Sequence, residues 1–307
     1  MTISRRKMLK ISAGAGAGLL LNELPAFAQQ QPQLMRAIPS SGEMIPAVGL
    51  GSARTFNVGP PSPEWVPLGD VVRLFHEMGG RFFDTAPSYG TSEQVAGQIV
   101  QEIGIGNDLF FATKISTRGG RQAGLDQQEE SFRDWGREVI DLNQVHNLQD
   151  TAIHLRTIRQ AKEEGRTRYV GVTTSFGQQY EQMEQVLRSE ELDFVQVNYS
   201  LAEREAAERL LPLAQDRGMG VIVNEPFNVG RLFSAASGRE LPDWAAEFDC
   251  RSWGQFFLKY ILSHPAVTVI IPATGDPEHL VDNMGAGIGR LPDEATRRRM
   301  EEMFDNL

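Results

Sequence analysis

From residue 47 onward, short apolar runs alternate with longer stretches in which apolar residues recur every three to four positions. The runs predict buried strands at Ala47–Gly51, Arg81–Asp84, Leu109–Lys114, Asp141–His146, Tyr169–Val172, Phe194–Asn198, Gly220–Asn224 and Thr268–Ile271. The amphipathic stretches predict helices, among them Thr91–Glu102, Thr151–Glu164, Tyr180–Leu187, Ala207–Arg217 and Arg251–Leu262. Eight strands, each followed by a helix, imply parallel pairing and closure into an α/β fold, a (β/α)8 TIM barrel. Ahead of it, Leu34 to Ile38 and Glu43 to Ile45 flank a Pro-Ser-Ser-Gly turn and predict a short β-hairpin. No linker or repeat divides the pattern, and no Gly-x-Gly-x-x-Gly follows the first strand, which argues against a doubly wound open sheet.

The first 28 residues stand outside this pattern. Ser4-Arg5-Arg6-Lys7-Met8-Leu9-Lys10, a Gly/Ala/Leu run from Ile11 to Leu21 and Ala26-Phe27-Ala28 predict a basic region, a short apolar region and a cleavage site. The paired arginines resemble a bacterial twin-arginine signal, which implies the twin-arginine export machinery as a partner and a periplasmic or otherwise exported product. The apolar run is too short and glycine-rich to span a bilayer. That route carries folded proteins, and a protein that must close around a cytoplasmic cofactor has a physical reason to use it. Residues 29–307 then form one domain. Removing Arg5, Arg6, Lys7, Lys10 and Glu23 from the chain's 30 basic and 40 acidic residues leaves 26 against 39, a net charge of −13. Such a surface repels nucleic acid and anionic lipid. Cys250 is the single cysteine, so no intrachain disulfide or thiolate metal cluster forms. No histidine set has metal-ligand spacing, and no metal is expected.

In such a barrel, chemistry collects at the C-terminal ends of the strands. Those ends carry Asp84, Lys114, His146, Thr173-Thr174, Gln196 with Asn198, Asn224 and Pro272-Ala273-Thr274. Tyr89 follows Asp84 by five residues in a turn containing Pro87, Ser88 and Gly90. An ammonium in the apolar run Phe110-Phe111-Ala112-Thr113-Lys114 needs a partner, and Asp84 on the neighbouring strand supplies one. A cation beside Tyr89 is expected to lower its pKa from about 10. Tyr89 then suits a general acid, and His146 a hydrogen-bond donor to the same oxygen. The group fits a carbonyl that takes hydride on carbon and a proton on oxygen.

These residues resemble the catalytic tetrad of the aldo-keto reductases: Asp84-x4-Tyr89, Lys114 after a Phe-Ala-Thr strand, and His146 in Asp-Leu-Asn-Gln-Val-His-Asn. Val48-Gly49-Leu50-Gly51 is similar to that family's first strand, Gln196-Val197-Asn198-Tyr199-Ser200 to its sixth, and Ile271-Pro272-Ala273-Thr274 with Pro277-Glu278-His279-Leu280 and Asn283 to its cofactor loop and last barrel helix. The resemblance implies an NAD(P)-dependent oxidoreductase acting on a small aldehyde, ketone or alcohol. It makes Tyr89 the acid, tuned by Lys114 and Asp84, with His146 orienting the carbonyl. It places Thr173, Thr174 and Gln196 on the nicotinamide carboxamide, Thr274, Gly275 and Asp276 along the adenosine ribose, and Asn283 at the adenine. A helix N-terminus beside that loop would favour a phosphate.

Three positions depart from the family pattern. Thr173-Thr174 stand where Ser-Asn is usual. Asn224 stands at the aromatic platform for the nicotinamide face, leaving Phe227 as a candidate for stacking. Asp276 stands where Lys or Arg often meets the 2′-phosphate of NADP, and a carboxylate there suits the free ribose of NAD(H) instead. Family membership tips the expectation slightly to NADP(H), with Arg290 as a compensating base. Phe56, Trp65, Phe176, Phe233 and Trp244 are candidates for lining a substrate pocket. The end soon after a helix at Glu294–Phe304 predicts an open mouth. Two rival readings are a cofactor-binding regulatory protein with little turnover, which Asn224 favours, and an aldolase using Lys114 as a Schiff-base nucleophile.

Overall fold

A computed structural model describes residues 32–59, 63 and 65–306. The predicted signal segment lies outside the described residues. Strands β1 (Met35–Ala37) and β2 (Met44–Pro46) pair antiparallel, and their hairpin precedes the barrel as predicted. The barrel strands are β3 (Leu50–Gly51), β4 (Phe82–Asp84), β5 (Phe110–Ile115), β6 (Ile140–Val145), β7 (Thr167–Thr173), β8 (Phe194–Asn198), β9 (Gly220–Asn224) and β10 (Val267–Ile270). All neighbours are parallel in the order β3 to β10. Bridges Val48↔Ile270 and Gly51↔Ala273 bring the ends of the sheet together. Gly51 permits that approach: a Cβ on it would lie 2.7 Å from the Ile271 carbonyl oxygen.

Helices α1 (Trp65–Glu77), α2 (Ser92–Ile103), α3 (Gly120–Trp135), α4 (Thr151–Glu163), α5 (Tyr180–Ser189) and α6 (Ala206–Asp216) follow the first six barrel strands in turn. After β9 come the short α7 (Arg231–Ala235) and α8 (Trp253–Leu262), then α9 (Pro277–Gly285) after β10 and α10 (Glu294–Asp305). Among the described residues, no helix is long and apolar enough to cross a membrane.

The alternation of strand residues divides the core in two. One set points outward: Phe83 and Phe111 meet Trp135 of α3, with ring centroids 5.5 Å and 4.1 Å away. The other set points into the lumen, where Phe82, Phe110, Tyr169 and Phe194 form an aromatic layer with Leu142, Ile222 and Val269, closed from below by Ile38 and Ile45 at the hairpin. Phe82 stacks on Phe110 at 4.9 Å, and Phe110 on Tyr169 at 5.8 Å. Two residues further along five of the strands, the lumen-facing position turns polar: Asp84 after Phe82, Lys114 after Ala112, Gln144 after Leu142, Gln196 after Phe194 and Asn224 after Ile222. An apolar floor therefore lies under a polar ceiling at the C-terminal mouth.

Backbone strain collects at the same mouth. Among the described residues eight non-glycine residues have positive φ, and seven follow barrel strands: Arg54 after β3, Asn147, Leu148 and Asp150 after β6, and Glu225, Asn228 and Val229 after β9. Each such residue costs of order 1–3 kcal/mol and persists only where its surroundings impose it. A β-branched residue such as Val229 at φ 53° is disfavoured most.

Candidate active site

Lys114 and Asp84 meet across β5 and β4. Lys114 Nζ donates to Asp84 Oδ2 at 2.7 Å and to the Thr85 carbonyl at 2.6 Å, and both side chains are almost completely buried. Burial works against the ammonium, but Asp84 and then Tyr89 outweigh it, so Lys114 stays charged above its ordinary pKa. A lysine held in this form is a poor nucleophile, which counts against the aldolase reading.

Tyr89 closes a 3₁₀ turn, Pro87–Tyr89, whose first residue is pre-set by its proline ring and whose last amide donates to the Ala86 carbonyl at 3.0 Å. Gly90 follows at φ 66°, where a Cβ would lie 2.2 Å from Asn57 Oδ1. That oxygen instead accepts the Thr91 amide at 3.1 Å, tying the loop after β3 to the start of α2. The turn sets Lys114 Nζ 5.3 Å from the centre of the Tyr89 ring. It also sets the His146 ring edge-on to Tyr89, with centroids 5.7 Å apart. His146 lies one residue past the end of β6, in the 3₁₀ turn His146–Leu148. All four tetrad candidates thus converge on one point of the mouth.

One expectation is reversed. The pKa of Tyr89 is raised, not lowered. Burial is the largest cause. Lys114 pulls the other way, but Asp84 and Glu225 oppose it. The ammonium shares its charge with a carboxylate at 2.7 Å, so the phenol faces an ion pair instead of a lone cation. Tyr89 is therefore a protonated donor at neutral pH. His146 is pushed down to about 3 by burial and by Lys114, so its ring is neutral.

The residues assigned to the coenzyme fall into two groups. Thr173 ends β7 on the lumen side, buried beside the ceiling. Thr174 turns away from it: its hydroxyl donates to Gln179 Oε1 at 2.5 Å and accepts the Phe176 amide at 3.0 Å. Gln196 accepts from Gln144 Nε2 at 2.9 Å and contributes a hydrogen bond that lowers the Asp84 pKa. Asn224 donates to Asn198 Oδ1 at 2.7 Å, and its own Oδ1 is buried with no protein partner. Phe227 packs on the exposed Phe233 at 4.9 Å, and Phe233 lies on Phe257 of the outer core at 5.6 Å. Thr274 Oγ1 accepts the Asp276 amide at 3.0 Å within the loop that carries Gly275, and Asn283 is buried on α9.

Asp276 is the N-cap of α9. Its Oδ1 accepts the amides of Glu278 at 2.8 Å and His279 at 3.4 Å. The expectation of a phosphate at this helix N-terminus is corrected accordingly, because a carboxylate already takes the free amides. Arg290, the expected compensating base, is engaged elsewhere in this structure: its guanidinium grips Asp249, with Nε to Oδ2 at 3.0 Å and Nη2 to Oδ1 at 2.8 Å. Of the aromatics predicted to line a pocket, Phe56 is fully buried against Phe83 at 5.5 Å and belongs to the core. Phe176 and Phe233 remain exposed.

Sequence reasoning missed several neighbours of the tetrad. Gln144 was signalled by its parity with Leu142 in a buried strand. Ser88 and Ser116, which flank His146, carry no motif. Glu93 in the first turn of α2 is buried, accepting from Thr113 Oγ1 at 2.5 Å and Ser131 Oγ at 3.0 Å. Burial lifts its pKa to about 7. The folded state then favours the neutral carboxyl, so this contribution is complete below the ordinary carboxylate pKa and lost as pH rises through about 7. The loss is of order 3 kcal/mol. Glu93→Gln is expected to raise the urea midpoint at pH 8 and leave it almost unchanged at pH 4. An equal shift at both pH values would show that ionisation of Glu93 is not what costs stability.

With this geometry in view, the comparisons with known proteins agree. The model of the Aldo/keto reductase family matches residues 47–301, and the chain belongs to that family. It is 24% identical over 305 residues to Aldo-keto reductase str7 of Strobilurus tenacellus, covering 84% of this chain and 90% of that relative. It is 26% identical over 203 residues to the NADH-specific methylglyoxal reductase of Escherichia coli, covering 57% and 61%. An aldo/keto reductase from Klebsiella pneumoniae, solved in complex with NADP and acetate, superposes with a TM-score of 0.73 at 22% identity, covering 89% and 95%.

Proposed function

We propose that this protein reduces a small aldehyde or ketone with a nicotinamide coenzyme, Tyr89 giving the proton. The carrying observation is the buried Lys114–Asp84 pair at 2.7 Å beneath Tyr89, with a neutral His146 edge-on to it. Bound nicotinamide would supply hydride to the carbonyl carbon. On the protein side, His146 donates a hydrogen bond to the carbonyl oxygen and fixes its place. Tyr89 passes its proton to that oxygen, and the Lys114 charge stabilises the phenolate left behind. Water then returns the proton. The residues present fit a nicotinamide: the unpartnered Asn224 Oδ1 suits a carboxamide N–H, and buried Thr173 ends β7 on the same rim, two strands away.

The choice of coenzyme turns on Asp276. The Klebsiella neighbour carries NADP, which favours NADP(H) as the first coenzyme to test. The carboxylate at the α9 N-terminus lowers the advantage of a 2′-phosphate if the adenosine lies along Thr274 to Asp276. The test is oxidation of NADPH and NADH by the purified protein over a panel of aldehydes and ketones, with Asp276→Asn as the second arm. Asparagine keeps the cap and removes the charge. The ratio of Kd for NADP to Kd for NAD is expected to fall about tenfold. An unchanged ratio would place the ribose elsewhere, and no carbonyl-dependent oxidation in the panel would remove the catalytic reading.

The reading extends to export through the twin-arginine route, supported by Arg5-Arg6 and Ala26-Phe27-Ala28. Substituting both arginines with lysine is expected to leave the protein in the cytoplasm.

A further inference from the structure

A neutral imidazole has one N–H, and catalysis of this kind requires it on the nitrogen that meets the carbonyl oxygen. Nothing in the tetrad itself decides which nitrogen carries it. Lys114 and Asp84 are occupied with each other. Tyr89 touches His146 by its ring edge. The far side of the imidazole is different. Two hydroxyls converge on His146 Nδ1: Ser116 Oγ at 2.6 Å and Ser88 Oγ at 3.1 Å.

Ser116 is held to this task from two helices. Its amide donates to Gln127 Oε1 of α3 at 2.8 Å. The next carbonyl, that of Thr117, is 2.8 Å from His154 Nε2, on the buried face of α4. A carbonyl only accepts, so His154 donates there. The segment directly after β5 is thereby pinned on both sides of Ser116, and its Oγ is fixed before any substrate arrives.

We propose that Ser116 is a positioning residue that donates its hydroxyl proton to Nδ1 of His146 and so holds the imidazole in the Nε2–H tautomer facing the substrate, with Ser88 as a weaker second contact. The opposite tautomer would put Nδ1–H on Ser116 and present a lone pair from Nε2 to a carbonyl oxygen, two acceptors that repel. The ring cannot escape the choice by carrying both protons, because burial and Lys114 hold it neutral far below physiological pH. Of the two hydroxyls, Ser116 has the shorter contact and is the more enclosed, while Ser88 is exposed to water that competes for its proton.

This proposal rests on the carbonyl-reducing role given above, and its test separates the two. The full chain is labelled with ¹⁵N-histidine, and the His146 ring signals are assigned by their loss in His146→Asn. Long-range ¹H–¹⁵N spectra are expected to show a bare Nδ1 and a protonated Nε2. In Ser116→Ala the two tautomers are expected to mix, kcat to fall about tenfold and coenzyme Kd to stay unchanged. Ser116→Thr, which retains a hydroxyl, is expected to restore most of kcat, and Ser88→Ala to cost less than about threefold. A protonated Nδ1 in the wild-type protein, or a Ser116→Ala protein with unchanged tautomer and kcat, overturns the proposal. A protein that reduces no carbonyl overturns the functional reading alone, because the wild-type spectrum still decides which nitrogen of His146 accepts.

Discussion

Replacing Tyr89 with phenylalanine is expected to lower kcat for carbonyl reduction by about 10²–10⁴-fold, the range for losing a positioned general acid. Coenzyme Kd should not move. The substitution deletes one oxygen and keeps the ring that packs edge-on to His146 at 5.7 Å. The wild-type pH profile follows from the same geometry. Tyr89 lies above its ordinary pKa because burial outweighs the pull of Lys114, and His146 lies down at about 3. Neither group of the mouth therefore titrates between about pH 5 and 9, and the reduction rate should be flat there. Reduction needs the phenol and fails only as pH rises through the raised pKa. Alcohol oxidation needs the phenolate and should gain over the same rise. Steady-state rates in both directions against pH check this in the wild type and in Glu93→Gln, which removes the buried carboxyl that titrates at about 7; a reduction rate that falls between pH 6 and 8 in both would show a phenol more acidic than the structure gives.

Lys114→Met should lose activity and stability together. The buried Asp84 carboxylate would then lack the cationic partner it has among the described residues, at a cost of about 3–5 kcal/mol. Asp84→Asn leaves the complementary fault, an ammonium that keeps the Thr85 carbonyl, Tyr89 and an amide oxygen but no carboxylate in direct contact among the described residues. The double substitution Asp84→Asn with Lys114→Met removes both charges and should recover most of the loss without recovering turnover. Urea denaturation of the three variants separates the two roles. If the single Lys114→Met protein unfolds at the wild-type midpoint, the pair is not the buried unit described.

Much of this could be read from the chain. The eight strands were legible because each is a short apolar run between turn residues, and their order forces the barrel. The tetrad was legible because its members stand at strand ends. What parity within a strand means was less visible. Gln196 reads as a carboxamide ligand in one dimension, and the barrel adds what the sequence does not show, its contacts with Gln144 and Asp84. Thr174 reads as a cofactor contact but caps its own turn. The sign of the Tyr89 shift could not be had from sequence, since it depends on how deeply the ring is buried and on Asp84 cancelling part of Lys114. Asp276 stands out in the sequence for its charge, but its service as the α9 cap, and the capture of Arg290 by Asp249, depend on the fold. Ser116 is two residues beyond Lys114 and gave no signal, because only the fold brings the end of β5 against the turn after β6.

In the proposed reaction hydride passes directly to a carbonyl carbon at the mouth formed by Tyr89, Lys114 and His146. It is checked by supplying reduced coenzyme with both C4 hydrogens of the nicotinamide replaced by deuterium, in ordinary water, and weighing the alcohol formed. One deuterium on the carbinol carbon is the predicted result. An alcohol whose new carbon-bound hydrogen comes wholly from solvent would contradict it.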